Sequence, residues 1–305
     1  MKTYDIIVIG GGVAGMNCAL YALRNGKSVL IFEGDGVGGQ IANSPKVENF
    51  PTIHEISGSE LADKFMDQVI ARGAEFEFDK VTSVKKEGEL FTVTAEYCEY
   101  QAKSVVAAVG VTHKHIGVKG EEALLGKGVY YCALCDGPFY KDKEVAIIGD
   151  GNTAMQYAVL LANICKKVYI ITWLDKFFGD RALEQTLKSK ENIVHIANAQ
   201  TTAFEGESHL TAVEYLDKET QETKSLQVPA VFVAIGQVPH NELFAHLADL
   251  DDKGYFVAGD DMSTKTPGFF VAGDCRAKKM RQVVTAVSDG AVAGVNASLY
   301  IESKQ

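Results

Sequence analysis

No stretch of this sequence stays apolar long enough to cross a bilayer. The run Ile6–Ile9 gives way to glycines at once, and nothing near the start reads as a signal peptide. The expectation is a soluble, cytoplasmic protein. Basic residues are in the minority: Lys and Arg number 30 against 40 Asp and Glu, for a net charge of −10. That balance argues against nucleic acid or an acidic membrane surface as the main partner. Cysteine is scarce as well. Six in 305 residues make no disulfide framework, and Cys18, Cys98, Cys165 and Cys275 stand singly, as core or surface thiols. A second C-x-x-C is missing, and the seven histidines lack H-x₃₋₅-H spacing beside a cysteine pair, so no metal site is expected.

What is present is one close pair, Cys132-Ala133-Leu134-Cys135, followed directly by Asp136. In a cytosolic α/β chain this spacing points to thiol–disulfide chemistry ahead of half a zinc site or a buried structural pair. Such chemistry needs an electron source. With 47% hydrophobic and 23% charged residues over this length, the chain has material for about two domains.

The first of them is legible near the start. The apolar run "YDIIVI" reads as a buried parallel strand and enters Gly10-Gly11-Gly12-Val13-Ala14-Gly15, a G-x-G-x-x-G loop. A helical pattern follows to about Gly26, and a second strand, Ser28–Phe32, ends on Glu33. Gly10 permits the tight turn, Gly12 lets a pyrophosphate approach the backbone, Gly15 permits close helix packing, and Glu33 stands where ribose hydroxyls need an acceptor. The unit recurs: strand "EVAII", residues 144–148, enters Gly149-Asp150-Gly151-Asn152-Thr153-Ala154, a helix runs to about Asn163, and strand Lys167–Ile171 follows. Val105–Gly110 and Val231–Gly236 are expected to be strands closing the two sheets. The fold class is therefore α/β with two Rossmann-like dinucleotide-binding domains, and the cysteine pair lies just before the second.

Taken together, "GGGVAG" with Glu33, "GVGGQI" and "VENFP", "CALCDG", "GDGNTA" and "FFVAGDCRAKKMRQVVTAVSDG" resemble the low-molecular-weight thioredoxin reductase family, in the family's order and over nearly the whole chain. The resemblance implies a discontinuous FAD domain, residues 1–112 with 243–305. It also implies an inserted NAD(P)H-domain-like domain, 113–242, with hinges near Gly110-Thr112 and Val238-Asn241. It places FAD on Gly10, Gly12, Val13, Ala14, Gly15 and Glu33. Gly38, Gly39, Gln40 and Asn49 would lie near the flavin ring and ribityl chain, Gly273 and Asp274 beside the ribityl, and Arg281, Gln282 and Val283 along the flavin. Two electrons would pass from reduced FAD to the Cys132–Cys135 disulfide and on to a thioredoxin-like protein. In that scheme Cys135 faces the flavin, Cys132 attacks the substrate and Asp136 handles the proton. A homodimer is implied as well.

One part of the family pattern is missing. NADPH-dependent members carry "HRRDxxR" after the second strand of the inserted domain, where paired arginines bind the 2′-phosphate. Here the stretch reads Thr172-Trp173-Leu174-Asp175-Lys176-Phe177-Phe178, and Asp150 puts a carboxylate into the second glycine loop. Trp173, Phe177 and Phe178 are expected to fill the adenosine end of the cleft. The reading is that NAD(P)H is not used, and the chain resembles the clostridial-type branch that takes electrons from reduced ferredoxin. Lys278, Lys279 and Arg281, with Lys141 and Lys143, would offer an acidic ferredoxin a basic face. Two alternatives stay open: an NAD(P)H-dependent reductase rescued by Lys176 or Arg181, and a non-enzymatic flavin and thiol redox sensor.

Overall fold

The computed structural model describes residues 2–44 and 47–304. The chain divides into two compact units, Met1–Thr112 with Val238–Gln305, and His113–Gln237. The second crossing thus falls at 237/238, ahead of the expected 242/243.

In the first unit, strands Glu75–Glu77, Val29–Phe32, Thr3–Ile9, Glu99–Ala107 and Phe269–Val271 are parallel, Leu90–Ala95 adds antiparallel to Glu99–Ala107, and Val81–Glu87 adds antiparallel to Leu90–Ala95. A strand covered on both faces has no polar side to show, which is why the first strand reads as a continuous apolar run. Its alternate residues serve two cores. Ile6 and Val8 pack under the helices Val13–Arg24, Gly58–Ile70 and Val283–Glu302, whereas Ile7 and Ile9 join Phe91, Phe244 and Phe256 on the other face.

The long C-terminal helix is fastened to the first helix at two glycines. A Cβ on Gly290 would lie 2.1 Å from the Ala14 carbonyl oxygen, and one on Gly294 would lie 2.4 Å from that of Cys18. Asn17 Nδ2 also donates to Val287 O at 2.7 Å. The helix Gly58–Ile70 starts where Ser57 Oγ accepts from Glu60 N, an N-cap worth about 1 kcal/mol.

The second unit repeats the plan. Its parallel sheet runs Ile193–Ile196, Lys167–Ile171, Glu144–Ile148, Val231–Val233, Val129–Tyr130. The helix Asn152–Ala162 packs on one face through Ala154, Ala158 and Leu161. The antiparallel strands Ala199–Glu205, Ala212–Asp217 and Thr223–Gln227 supply Phe204 and Val213 to the other. Two strand expectations need correction. Val105–Gly110 belongs to the longer strand Glu99–Ala107, and Val231–Gly236 is strand only to Val233. Gly110 and Gly236 have φ of +64° and +114°, outside the β region, so neither can continue a ladder. Both strands also run inside their sheets, with partners on either side. Among the described residues, no helix is long and apolar enough to cross a membrane.

Candidate functional site

At the carboxyl ends of the first unit's parallel strands, where open α/β sheets bind ligands, the motif residues meet pair by pair. Gly10 turns the chain at φ +109°, with the Ala108 carbonyl oxygen 2.4 Å from where a Cβ would sit. A Cβ on Gly15 would come within 1.9 Å of Gly10 O. Gly12 differs: nothing lies nearer than 3.9 Å, so the space in front of it is open. Val13 and Ala14 form the first turn of the helix that follows, whose N–H groups have no partner inside the helix.

Glu33 does more than wait for a ribose. Its Oε2 accepts from Gly11 N at 2.7 Å, and its Oε1 accepts from Asp35 N and Gly36 N at 2.8 and 2.9 Å. With two acceptor sites per oxygen, Oε1 is filled and Oε2 has one site to spare.

Gly38 and Gly39 adopt φ of +95° and +60°, and Gly38 N donates to Gly11 O at 2.9 Å, which lays the turn Gly39–Asn43 along the glycine loop. Gln40 donates through Nε2 to Val111 O. Asn49 Nδ2 reaches Gln282 Oε1 at 3.2 Å, at the residue preceding helix Val283–Glu302. Gly273 lies against Ala14. Beside it, Asp274 Oδ1 is buried, with Lys278 Nζ 3.5 Å away as its ion-pair partner. Burial pushes its carboxyl above the ordinary range, against the pull of Lys278 and Arg281.

Two residues the sequence reading passed over organise this corner. Asp289, the lone acid within the apolar helix Val283–Glu302 until its last residue, accepts from Gly273 N, Arg276 Nη1 and Lys278 Nζ, each at 3.0 Å on Oδ2. Arg276 is itself buried and donates to Ala258 O and Gly259 O. A lone carboxylate in an otherwise apolar helix was the available signal. The expected basic face loses two members here. Lys278 is turned inward between Asp289 and Asp274, and Arg281 donates to Asp274 O and Arg276 O at 3.1 Å while lying over the Tyr255 ring. Lys279, Lys141 and Lys143 stay exposed.

In the second unit Cys132 and Cys135 are joined as a disulfide, with Cα atoms 5.3 Å apart. Cys132 precedes the short helix Ala133–Asp136, and its Sγ accepts from Cys135 N at 3.1 Å. Asp136 is buried, and its Oδ1 has no partner among the described residues. Desolvation raises its pKa to about 7. Close by, the hydroxyls of Tyr130 and Tyr140 meet at 2.9 Å. Tyr131, next to Cys132, donates to the buried Glu121 at 2.7 Å.

The second glycine loop has the first one's geometry. Gly149 has φ +143°, and a Cβ there would lie 2.4 Å from Ala234 O, the counterpart of the Gly10–Ala108 approach. Its surroundings are different. Phe178 N donates to Asp150 O and Asp180 N to Asn152 Oδ1, both at 2.8 Å, so residues 178–180 lie along the loop. Thr172, at the strand end, bonds Leu174 O and His195 Nε2. The cleft is not filled as expected. Phe177 lies tilted against His195 with centroids 4.6 Å apart, packed against the core, and a cavity of about 400 Å³ stays open beside Trp173 and Asp150.

The model of the pyridine nucleotide-disulphide oxidoreductase family matches residues 4–290. A thioredoxin reductase of Treponema pallidum (strain Nichols) is 39% identical over 99% of this chain and 98% of its own. The chain belongs to the thioredoxin reductase family. It is an oxidoreductase of disulfide chemistry. The crystal structure of thioredoxin reductase from Streptococcus pyogenes MGAS5005 superposes with TM-score 0.95 at 33% identity, covering 99% of both chains. A ferredoxin-flavin thioredoxin reductase from Clostridium acetobutylicum is 30% identical over 100% of this chain and 99% of that one, with TM-score 0.55.

The thioredoxin reductase family is FAD-dependent. The first unit of this member fits that group on its own evidence: the open space at Gly12 and the spare acceptor on Glu33. When bound, FAD supplies two-electron transfer.

Proposed function

We propose that this reductase passes electrons through the Cys132–Cys135 disulfide to the disulfide of a thioredoxin-type protein, and that its donor is reduced ferredoxin in place of NADPH. The observation that carries the donor assignment is the second glycine loop. It holds Asp150, and the strand before it in the sheet leads into Thr172-Trp173-Leu174 where a 2′-phosphate would need cations. Each lost charge-assisted contact is worth roughly 1.5–3 kcal/mol, so two such losses weaken binding by about two orders of magnitude or more. The similarity to a ferredoxin-flavin enzyme supports the same reading.

The protein's own groups define the rest. Two electrons and two protons convert the disulfide to a dithiol. The Cys132 sulfur, already accepting from Cys135 N–H, is the one better stabilised as thiolate, and it attacks a sulfur of the partner's disulfide. Cys135 then displaces the partner from the mixed disulfide, which restores the Cys132–Cys135 bond and releases the partner as a dithiol. Asp136, with a pKa of about 7, can hold a proton at neutral pH and give it to a departing thiolate. We also propose a homodimer, supported by the exposed apolar side chains Val284 and Leu299 of the C-terminal helix and Tyr21 nearby. Sedimentation velocity checks it.

Anaerobic stopped-flow mixing tests the donor. Reduced ferredoxin is expected to bleach the FAD band, and micromolar NADPH or NADH to leave it unchanged on the same timescale. Rapid bleaching by NADPH would overturn the assignment. Multiple turnovers with a thioredoxin disulfide would separate the enzyme from a redox sensor.

A further inference from the structure

The backbone around Cys132 has little regular structure to hold it. The helix it precedes, Ala133–Asp136, is a single turn, too short to be stable alone, and the strand before it, Val129–Tyr130, is a two-residue edge paired with Val231–Val233. While the disulfide is closed, Cys135 restrains Cys132 as well. Reduction removes that restraint, and the position of the sulfur then depends on the residue that joins the strand to Cys132, which is Tyr131.

Tyr131 is held by groups the exchange scheme does not use. Its ring lies beside two imidazoles, His113 stacked at 4.8 Å and His115 edge-on at 5.3 Å between centroids. Its carbonyl oxygen accepts from Tyr157 Oη, on the helix Asn152–Ala162, at 3.4 Å. Its hydroxyl donates to Glu121 Oε1 at 2.7 Å, and that carboxylate is itself fixed by Ile116 N and Gly117 N, which donate at 3.0 and 2.7 Å. A hydroxyl has one hydrogen to give. With that hydrogen on Glu121, the 2.9 Å contact to His115 must run the other way, from Nδ1–H to the phenol oxygen. The neutral imidazole in this tautomer and the imidazolium both carry that hydrogen. Burial and Glu121, with Glu122 adding to them, push the phenol's pKa up, and burial, with His115 adding to it, lowers His113 to about 4. The hydroxyl and its donor thus keep their hydrogens across neutral pH.

We propose that Glu121, Tyr131 and His115 form a clamp that positions the Cys132 sulfur for attack on the partner's disulfide, as positioning residues that transfer no proton. The inference rests on the reading that Cys132 is the attacking sulfur. Exchange requires that sulfur to approach along the axis of the disulfide it attacks, and a misplacement of about 1 Å can cost about 10²-fold in rate.

The test reads the exchange step alone, without electron donor or thioredoxin. The flavin-loaded protein is reduced anaerobically with dithiothreitol, freed of it, and mixed in a stopped-flow instrument with the aromatic disulfide dithiobis-nitrobenzoate. The Cys132 thiolate attacks one sulfur of the probe and displaces a thionitrobenzoate. The Cys135 thiolate then attacks the Cys132 sulfur and displaces the second, so that the protein disulfide re-forms as the two thiols give up their protons. Cys132→Ser should remove the fast phase and so identify it. Tyr131→Phe, which keeps the ring, is expected to slow that phase about tenfold or more, by the same factor from about pH 6 to 9. His115→Leu should slow it in the same sense, and His115→Asn, whose amide N–H replaces Nδ1–H, should recover most of the rate. His115 is half-exposed, which keeps this second pair of variants safe from misfolding. The parent's rate in Tyr131→Phe, a loss that varies with pH, or equal rates in the two His115 variants would overturn the clamp and leave the exchange scheme standing. A fast phase that survives Cys132→Ser would overturn both.

Discussion

Asp136 shows how one buried side chain couples chemistry to pH. Among the described residues its Oδ1 has no partner, and burial raises its pKa from 3.8 to about 7. An acid whose folded pKa lies above its unfolded value binds more protons folded than unfolded between those values, so stability falls as pH rises from about 4 to 7. A shift of about three units corresponds to about 4 kcal/mol at most. Asp136→Asn should therefore lose less stability than the parent between pH 5.5 and 8.5, as read by urea unfolding of the oxidised proteins. The same variant cannot supply a proton, and its disulfide-reducing turnover should drop by about 10²-fold or more. Equal pH dependence in the two proteins would show that Asp136 finds a partner. The Asp at this position was legible from "CDG", but its burial was not, since that depends on packing against residues distant in the chain, among them Tyr157 of the helix Asn152–Ala162.

Among the elements, the pairing of helix Val13–Arg24 with Val283–Glu302 holds the first glycine loop in place. Gly290 and Gly294 have no room for a methyl group, since the obstructing atoms are backbone carbonyls of the facing helix. Gly290→Ala must push the helices apart at Ala14, a residue of the loop itself, at a cost of roughly 1–3 kcal/mol. The expected outcome is a lower urea midpoint together with reduced FAD content after purification, checked by the ratio of flavin to protein absorbance.

Strand–loop–helix order around each glycine loop was readable because those signals are local: an apolar run, a G-x-G, a helical period. What escaped the sequence is set by contacts across elements. Lys278 and Arg281 looked like a docking face until Asp289 and the carbonyls of residues 274 and 276 drew them inward. Phe177 looked like a plug until His195 took it. The antiparallel strands of both units, being half-exposed and polar in alternation, gave no motif to find.

For the molecule as a whole, each unit has its own pair of cores, and the residues assigned to FAD all lie in the first. A ligand stabilises only the body that binds it, by RT ln(1 + [L]/Kd). Removing FAD with chaotropic salt should accordingly lower one calorimetric transition and leave a second in place. A single transition shifting as a whole would mean that the units unfold together. The redox bond itself has a different bearing on stability. Cys132 and Cys135 enclose only two residues, and on the chain-entropy account so small a loop restrains the unfolded chain by about 2 kcal/mol, against about 4.7 for a hundred-residue loop. Opening and closing it once per catalytic cycle therefore perturbs the folding equilibrium little. The protein can run its electrons through a covalent cross-link without having that cross-link serve as its scaffold.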